Sequence, residues 1–267
     1  MTVNSYLKDL GDKLILTQSE KSGIDTSIST LEKRMHDYFN PSIIEGFKFG
    51  SFTRKTILPR SVDEKSDVDY MVVFADGGEY TPQTYLDRLK RFAEKCYKTS
   101  EVHQSSPTVV LELNHIKFEL VPAYKEYSDY YYIPDGKGGW MYTSPNSFNT
   151  QLTEANNNNN YLIKPVIRLL KHWNIAKNHR ELSSYAMEER VAETMLYGHN
   201  YCTNYVDYLY WLLDDFYGHF YHYGYSSSSG CQRICSAKDS VQDAVGYENN
   251  GQTDKAMSTI MNVFPEV

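Results

Sequence analysis

Three acidic residues carry most of the chemical information in this 267-residue chain. Asp67 and Asp69 open an apolar run, Tyr70 to Phe74, that follows the loop leaving Gly50-Ser51. Residues two apart on a strand point to the same face, so this spacing predicts two carboxylates side by side at the mouth of a sheet. Alone, such a pair repels or merely ends a loop before a strand. A divalent cation removes the repulsion, and Mg²⁺ prefers carboxylate oxygens, with waters and substrate phosphates completing its shell. The third acid, Glu119, stands between Phe118 and Leu120 in IKFELVP, where a charge without a partner is costly. A shared cation is that kind of partner. With three carboxylates, one ion is held by Asp67, Asp69 and nucleotide phosphates, while a second, held also by Glu119, lowers the pKa of an attacking hydroxyl, the two-metal arrangement for phosphoryl transfer. Gly50 lets backbone N–H groups approach a phosphate, and the Ser51 hydroxyl donates to it.

These side chains need a scaffold, and the chain is long enough to bury one. Residues Asn4 to Phe39 read as two helices broken near Ser22-Gly23, and the period then falls to two. Glu45 to Phe49 and Val68 to Ala75 read as strands, Pro82 to Lys98 as a helix, and Val109 to Leu113 with Ile116 to Val121 as a hairpin. After Trp140 the periodicity fades into five asparagines, Asn156 to Asn160, read as a connector. Beyond it Val166, Ile167, Leu169, Leu170 and Trp173 form a buried helical stripe, with Lys164, Arg168 and Lys171 assigned to the polar face. A further helix is expected from Ser183-Ser184, and aromatic-rich helices from Cys202 to Phe220. The fold class is therefore α+β: a mixed sheet with flanking helices over residues 1–155, including the N-terminal helices, and a helical lobe over 156–267.

Composition narrows the partners. The formal charge is −7, from 27 basic and 34 acidic residues, which disfavours a polyanion held along a groove; no extended nucleic-acid binding is expected. No apolar stretch exceeds six residues, the length of Tyr70 to Ala75, far short of the roughly 20 residues of a membrane helix, so no membrane partner is expected. The opening residues lack the pattern of an export signal, and four cysteines are too few for a disulfide framework, which together point to the cytoplasm. Nine of 24 tyrosines fall between Tyr197 and Tyr225 in a stretch without Lys or Arg, read as a packed aromatic core.

Gly50-Ser51, Asp67-x-Asp69 and the acid of FELVPA resemble the DNA polymerase β-like nucleotidyltransferase superfamily. LILTQSEKSGIDTSISTLEKRM, LIKPVIRLLKHWN and LSSYAMEERV are similar, more narrowly, to the bacterial cGAS/DncV-like nucleotidyltransferases of anti-phage signalling, relatives of oligoadenylate synthetase and cyclic GMP-AMP synthase. The match runs from about residue 4 to 200. It implies a polymerase β-like core, nucleoside triphosphate substrates with ATP foremost, two Mg²⁺ ions with Mn²⁺ as a substitute, and a cyclic di- or trinucleotide second messenger that reaches an effector by diffusion. Linear oligoadenylate synthesis, transfer to RNA or protein, and a non-catalytic scaffold are the alternatives. Carried over by position, Asp67, Asp69 and Glu119 are the catalytic metal ligands, Gly50 and Ser51 bind phosphate, Lys171 reaches the donor triphosphate, Ser184 touches the same phosphates and Tyr185 stacks on a base. Glu119 stands where many relatives have aspartate.

Two further groups of residues could bind ligands. His219, His222, Cys231 and Cys235 lie within 17 residues but lack a tight Cys-x2-Cys pair, so a zinc site is disfavoured. Arg54, Lys55 and Arg60 are read as an exposed charged loop.

Overall fold

Helix α1, Val3–Lys13, starts at a reciprocal cap between Thr2 and Ser5, and α2, Gln18–Phe39, starts the same way between Thr17 and Glu20. The break between them therefore falls at residues 14–17 and not at Ser22-Gly23. A capping box that satisfies two backbone donors outweighs one interior glycine, which costs about 1 kcal/mol, and Gly23 is helical within α2. This computed structural model describes the chain apart from residues 128–129, 198–200 and 223–227, and apart from the side chains of 220–222.

Strand β1, Ile43–Phe49, runs into the short helix α3, Gly50–Arg54, and the chain then enters β2, Asp67–Phe74. Helix α4, Pro82–Cys96, precedes β3, Glu101–Ser105, β4, Thr108–Glu112, β5, Lys117–Tyr127, β6, Tyr130–Pro134, and β7, Trp140–Thr143. Helices α5, Pro145–Asn158, α6, Ile163–Ala176, α7, Ser184–Thr194, α8, Tyr205–His222, α9, Ser229–Asn249, and α10, Thr253–Val263, complete the chain. The sequence reading lacks β3, β6 and β7. β3 carries a single apolar residue, Val102, and the aromatic-rich β6 and β7 are short and partly exposed without regular alternation, so none gives a clear strand signal.

The chain divides into two compact units, one of residues 16–149 and one of Met1–Ile15 with Thr150–Val267. The division falls inside α5, six residues before the boundary read from the sequence, and α1 belongs with the C-terminal helices. The reason for the second difference is packing: Tyr6, Leu7 and Leu10 of α1 are buried, and the Tyr6 hydroxyl donates to the Phe264 carbonyl at 2.6 Å.

In the unit of residues 16–149 the strands run β1-β2-β5-β4-β3, with β6 on β5 and β7 on β6. β2 and β5 are parallel, and the other pairs are antiparallel. Val68, Tyr70, Val72 and Phe74 of β2 pack with Ile24, Ile28 and Leu31 of α2 and with Tyr85, Leu89 and Phe92 of α4. Met71 and Val73 pack on the opposite face with Ala123 and Tyr131. Because side chains alternate, burying the even positions against the helices commits Asp67 and Asp69 to the other face.

In the other unit α6 packs against α1, α7 and α8. That leaves it no polar face: Arg168 and Lys171 are each 6% exposed, against the sequence expectation. The asparagine run is likewise no connector. Asn156 to Asn158 are helical, and the buried Asn159 donates to Ala155 and Met195 carbonyls at 2.7 and 2.6 Å and accepts from Tyr208 at 3.3 Å. An amide that saturates its donors and acceptor inside a helical unit is a packing element.

Candidate functional site

The register of β2 on β5 assembles the acids. Asp69 is level with Glu119, and Asp67 is level with Lys117. Asp67, Asp69, Lys117 and Glu119 therefore share one face of two adjacent strands. Phe49, the last residue of β1, pairs with Asp69, so the chain leaving β1 turns directly over that carboxylate. Gly50 makes the turn at φ +70°, and a Cβ there would lie 1.8 Å from Asp69 Oδ2. Only glycine meets both demands, the left-handed backbone and the close approach. Ser51 follows in α3, and its carbonyl accepts from the N–H groups of Thr56 and Ile57 at 3.0 and 3.2 Å, which closes the loop after the turn.

Lys117 sits among the carboxylates. Its Nζ lies 3.1 Å from both Asp67 Oδ2 and Glu119 Oε1, and Thr108 Oγ1 donates to Glu119 Oε2 at 3.3 Å. Burial, reinforced by the Glu119 charge and opposed by Lys117, pushes Asp67 up to about 6. Burial pulls the Lys117 ammonium down, but Asp67 and Glu119 more than reverse this, and its pKa is raised. The face thus holds more negative charge than its one lysine balances. An all-carboxylate donor set of this kind fits a hard divalent cation such as Mg²⁺. Among the described residues, however, no three His, Cys, Asp or Glu side chains converge as a ready metal-binding group: Asp67 and Glu119 are turned onto Lys117.

Lys171, Ser184 and Tyr185 belong to the other unit. Lys171 of α6 forms an ion pair with Glu188 of α7, and both side chains are almost completely buried. Ser183 caps α7, accepting from the Ala186 N–H at 3.5 Å, and this places Ser184 in the first helical turn, exposed. Tyr185 is 53% exposed, and its hydroxyl donates to Glu189 at 3.0 Å. One ion pair thus ties α6 to the helix whose first turn presents a hydroxyl and an aromatic ring.

The charged loop is less exposed than expected. Arg54 is buried with its guanidinium 4.7 Å over the Phe148 ring. Arg60 Nη1 lies 2.7 Å from Glu112 Oε1; Lys55 is exposed, as read. Of the zinc candidates, Cys231 and Cys235 are on α9, where Cys235 donates to Asp239 at 3.6 Å, and the His222 side chain lies outside the described residues. The tyrosine-rich stretch is mixed: Tyr205 and Tyr208 are buried, while Tyr197 and Tyr201 are exposed. Lys117 was absent from the sequence reading. Its signal was the alternation of IKFEL, which puts Lys117 on the same face as Glu119.

Residues 1–156 match the family described as the Second Messenger Oligonucleotide or Dinucleotide Synthetase domain. A Bacillus cereus (strain VD146) protein named as a probable cyclic nucleotide synthase is 29% identical over 241 residues, 72% of this chain and 71% of that one. An Acinetobacter protein named cyclic AMP-AMP-AMP synthase is 26% identical over 180 residues, 65% of this chain and 52% of that one, so the chain spans about half that relative's length. The solved structure of Escherichia coli MS115-1 CdnC with ATP superposes with a TM-score of 0.74 at 15% identity, covering 98% of both chains. That likeness shows the fold, a mixed sheet with flanking helices followed by a helical unit.

Proposed function

From the premise that the chain belongs to the Second Messenger Oligonucleotide or Dinucleotide Synthetase family, the bacterial cGAS/DncV-like nucleotidyltransferases, we propose that it joins nucleoside triphosphates, ATP foremost, into a cyclic di- or trinucleotide that acts on a downstream effector in anti-phage signalling in the cytoplasm. The observation that carries this reading is the β2–β5 register, which sets Asp69 level with Glu119 and Asp67 on the same face, beside Gly50. The name of the Acinetobacter relative supports adenine in the product.

Asp67, Asp69 and Glu119 would hold Mg²⁺, two ions in the full arrangement. Bound there, the metal supplies charge neutralisation and a more acidic ribose hydroxyl. The protein's own groups do the rest. Gly50 keeps the backbone low enough for a phosphate to approach, and Ser51 offers a hydroxyl to its oxygens. Ser184, in the first turn of α7, would donate to the donor triphosphate where the helix dipole favours negative charge, and Tyr185 would stack on a base. Lys171, carried over as a triphosphate contact, would reach a phosphate only by leaving Glu188; while paired, it acts by fixing the position of α7. A ribose hydroxyl of one nucleotide then attacks the α-phosphorus of another in line, pyrophosphate leaves, and a second attack within the linear intermediate closes the ring.

The test incubates the purified protein with Mg²⁺ and α-labelled nucleoside triphosphates, treats with phosphatase and measures product mass. The expected result is a phosphatase-resistant ring of two or three nucleotides containing adenine. A ladder of 5′-triphosphate oligomers would replace cyclisation with linear synthesis, and label retained on protein or RNA would replace both.

A further inference from the structure

Lys117 occupies the place between two carboxylates that a cation shared by Asp67 and Glu119 would take, with its Nζ 3.1 Å from each. Its position in the sheet also offers it somewhere else to go. On β2 its neighbour is Asp67; on β4 its neighbour, directly opposite in the antiparallel register, is Glu112. Residues level with one another on adjacent strands share a face, and a lysine side chain is long enough to reach either neighbour. Glu112 is itself paired with Arg60 at 2.7 Å, so a second cation arriving there would share a carboxylate already held in place.

We propose that Lys117 is a displaceable internal counter-ion: in the metal-free protein its ammonium holds Asp67 and Glu119 together, and a divalent cation enters by driving it across the sheet face to Glu112. This rests on the metal-binding reading of the three acids given above. No bond is made or broken in the exchange; one ammonium leaves two carboxylates and one hydrated cation replaces it. The lysine would preserve the acid cluster until metal arrives, because two partly buried carboxylates without a counter-ion repel each other. It would also lower the intrinsic affinity of the site, since each loading event must undo two charge-assisted contacts.

The experiment titrates Mn²⁺ alone into the full chain, following bound metal by electron paramagnetic resonance and melting temperature by calorimetry, for wild type, Lys117→Met, Glu112→Gln and Asp69→Asn. Lys117→Met removes the charge and keeps the stem. It should melt lower than wild type in chelator, bind Mn²⁺ about tenfold more tightly, and gain more melting temperature from Mn²⁺ than wild type gains. Glu112→Gln, which leaves the acid cluster intact and removes the lysine's other partner, should weaken Mn²⁺ binding. If Lys117→Met does not fold, Lys117→Gln takes its place and Glu112→Gln gives the independent answer. Equal or weaker Mn²⁺ binding by the Lys117 variant would make the lysine a fixed structural pair and overturn the proposal, while the metal-binding reading stands so long as Asp69→Asn binds less than wild type. If no variant and not wild type binds Mn²⁺, or if Asp69→Asn binds as wild type does, the metal-binding reading itself fails and the proposal falls with it.

Discussion

Lys171→Ala separates a buried structural cation from a ligand-reaching one. The Lys171 and Glu188 side chains are 7% and 1% exposed, so the variant removes the ammonium and leaves the carboxylate in the interior of the helical unit. Breaking a buried ion pair from one side costs about 3–5 kcal/mol, because the remaining charge keeps its desolvation penalty and loses its compensation. For domains of about 150–250 residues each kcal/mol moves Tm by roughly 2–4 °C, so the expected loss is on the order of 10 °C. That is a large part of a total stability of about 5–15 kcal/mol. The assay is thermal and urea unfolding of wild type, Lys171→Ala, Glu188→Gln and the double variant Lys171→Met with Glu188→Leu. The double variant replaces both charges with apolar groups and should recover to within about 1–2 kcal/mol of wild type, since a well-packed apolar pair is often as stable as the ion pair it replaces. A Tm for Lys171→Ala within about 2 °C of wild type, together with a large loss of ATP binding, would refute the reasoning and return Lys171 to the triphosphate.

Three further outcomes follow from the geometry. Asp67 is raised from 3.8 to about 6, so its ionised form is disfavoured in the fold; the cost is absent below pH 4 and complete above about pH 6. Asp67→Asn should therefore stabilise the metal-free protein at pH 8 by on the order of 2–3 kcal/mol, with the gain gone by pH 4, while abolishing nucleotidyl transfer; unfolding curves at the two pH values check the sign. Gly50→Ala puts a Cβ 1.8 Å from Asp69 Oδ2 at a positive φ; it should cost at least about 1–2 kcal/mol and most of the activity, read by melting and product formation, and full activity would mean the turn is not part of the site. Burial lowers the pKa of His172 against a raising hydrogen bond to the Pro265 carbonyl, and its Nδ1 is buried without a partner. Stability should then fall as pH drops through 6.5, and His172→Gln should lose less over that range in unfolding experiments than wild type does.

The acid cluster is legible in the sequence because strand alternation is local: an apolar run beginning at Asp67-Val68-Asp69 can bury only one parity against helices, and Asp67 and Asp69 are left on the other face. Glu119 was legible for the same reason, as a charge in an otherwise apolar strand. The capping box of Thr17 and Glu20 is equally local, a Thr-x-x-Glu spacing that sets the start of α2 without reference to Gly23. What sequence could not supply is which surface a helix meets. Lys171 and Arg168 lie on the side of α6 away from its apolar stripe, and periodicity alone assigns them to water; α6 is instead packed against α1 and α8, far away in sequence, and α7 brings Glu188 to Lys171. The same long-range packing takes α1 from the core in which it was expected and sets it among the C-terminal helices, and it turns Asn159 from a connector residue into a buried anchor. Lys117 shows the boundary between the two kinds of information. Its face followed from counting residues along β5, but its placement between Asp67 and Glu119 depended on which strand pairs with which and in what register, and only the assembled sheet decides that.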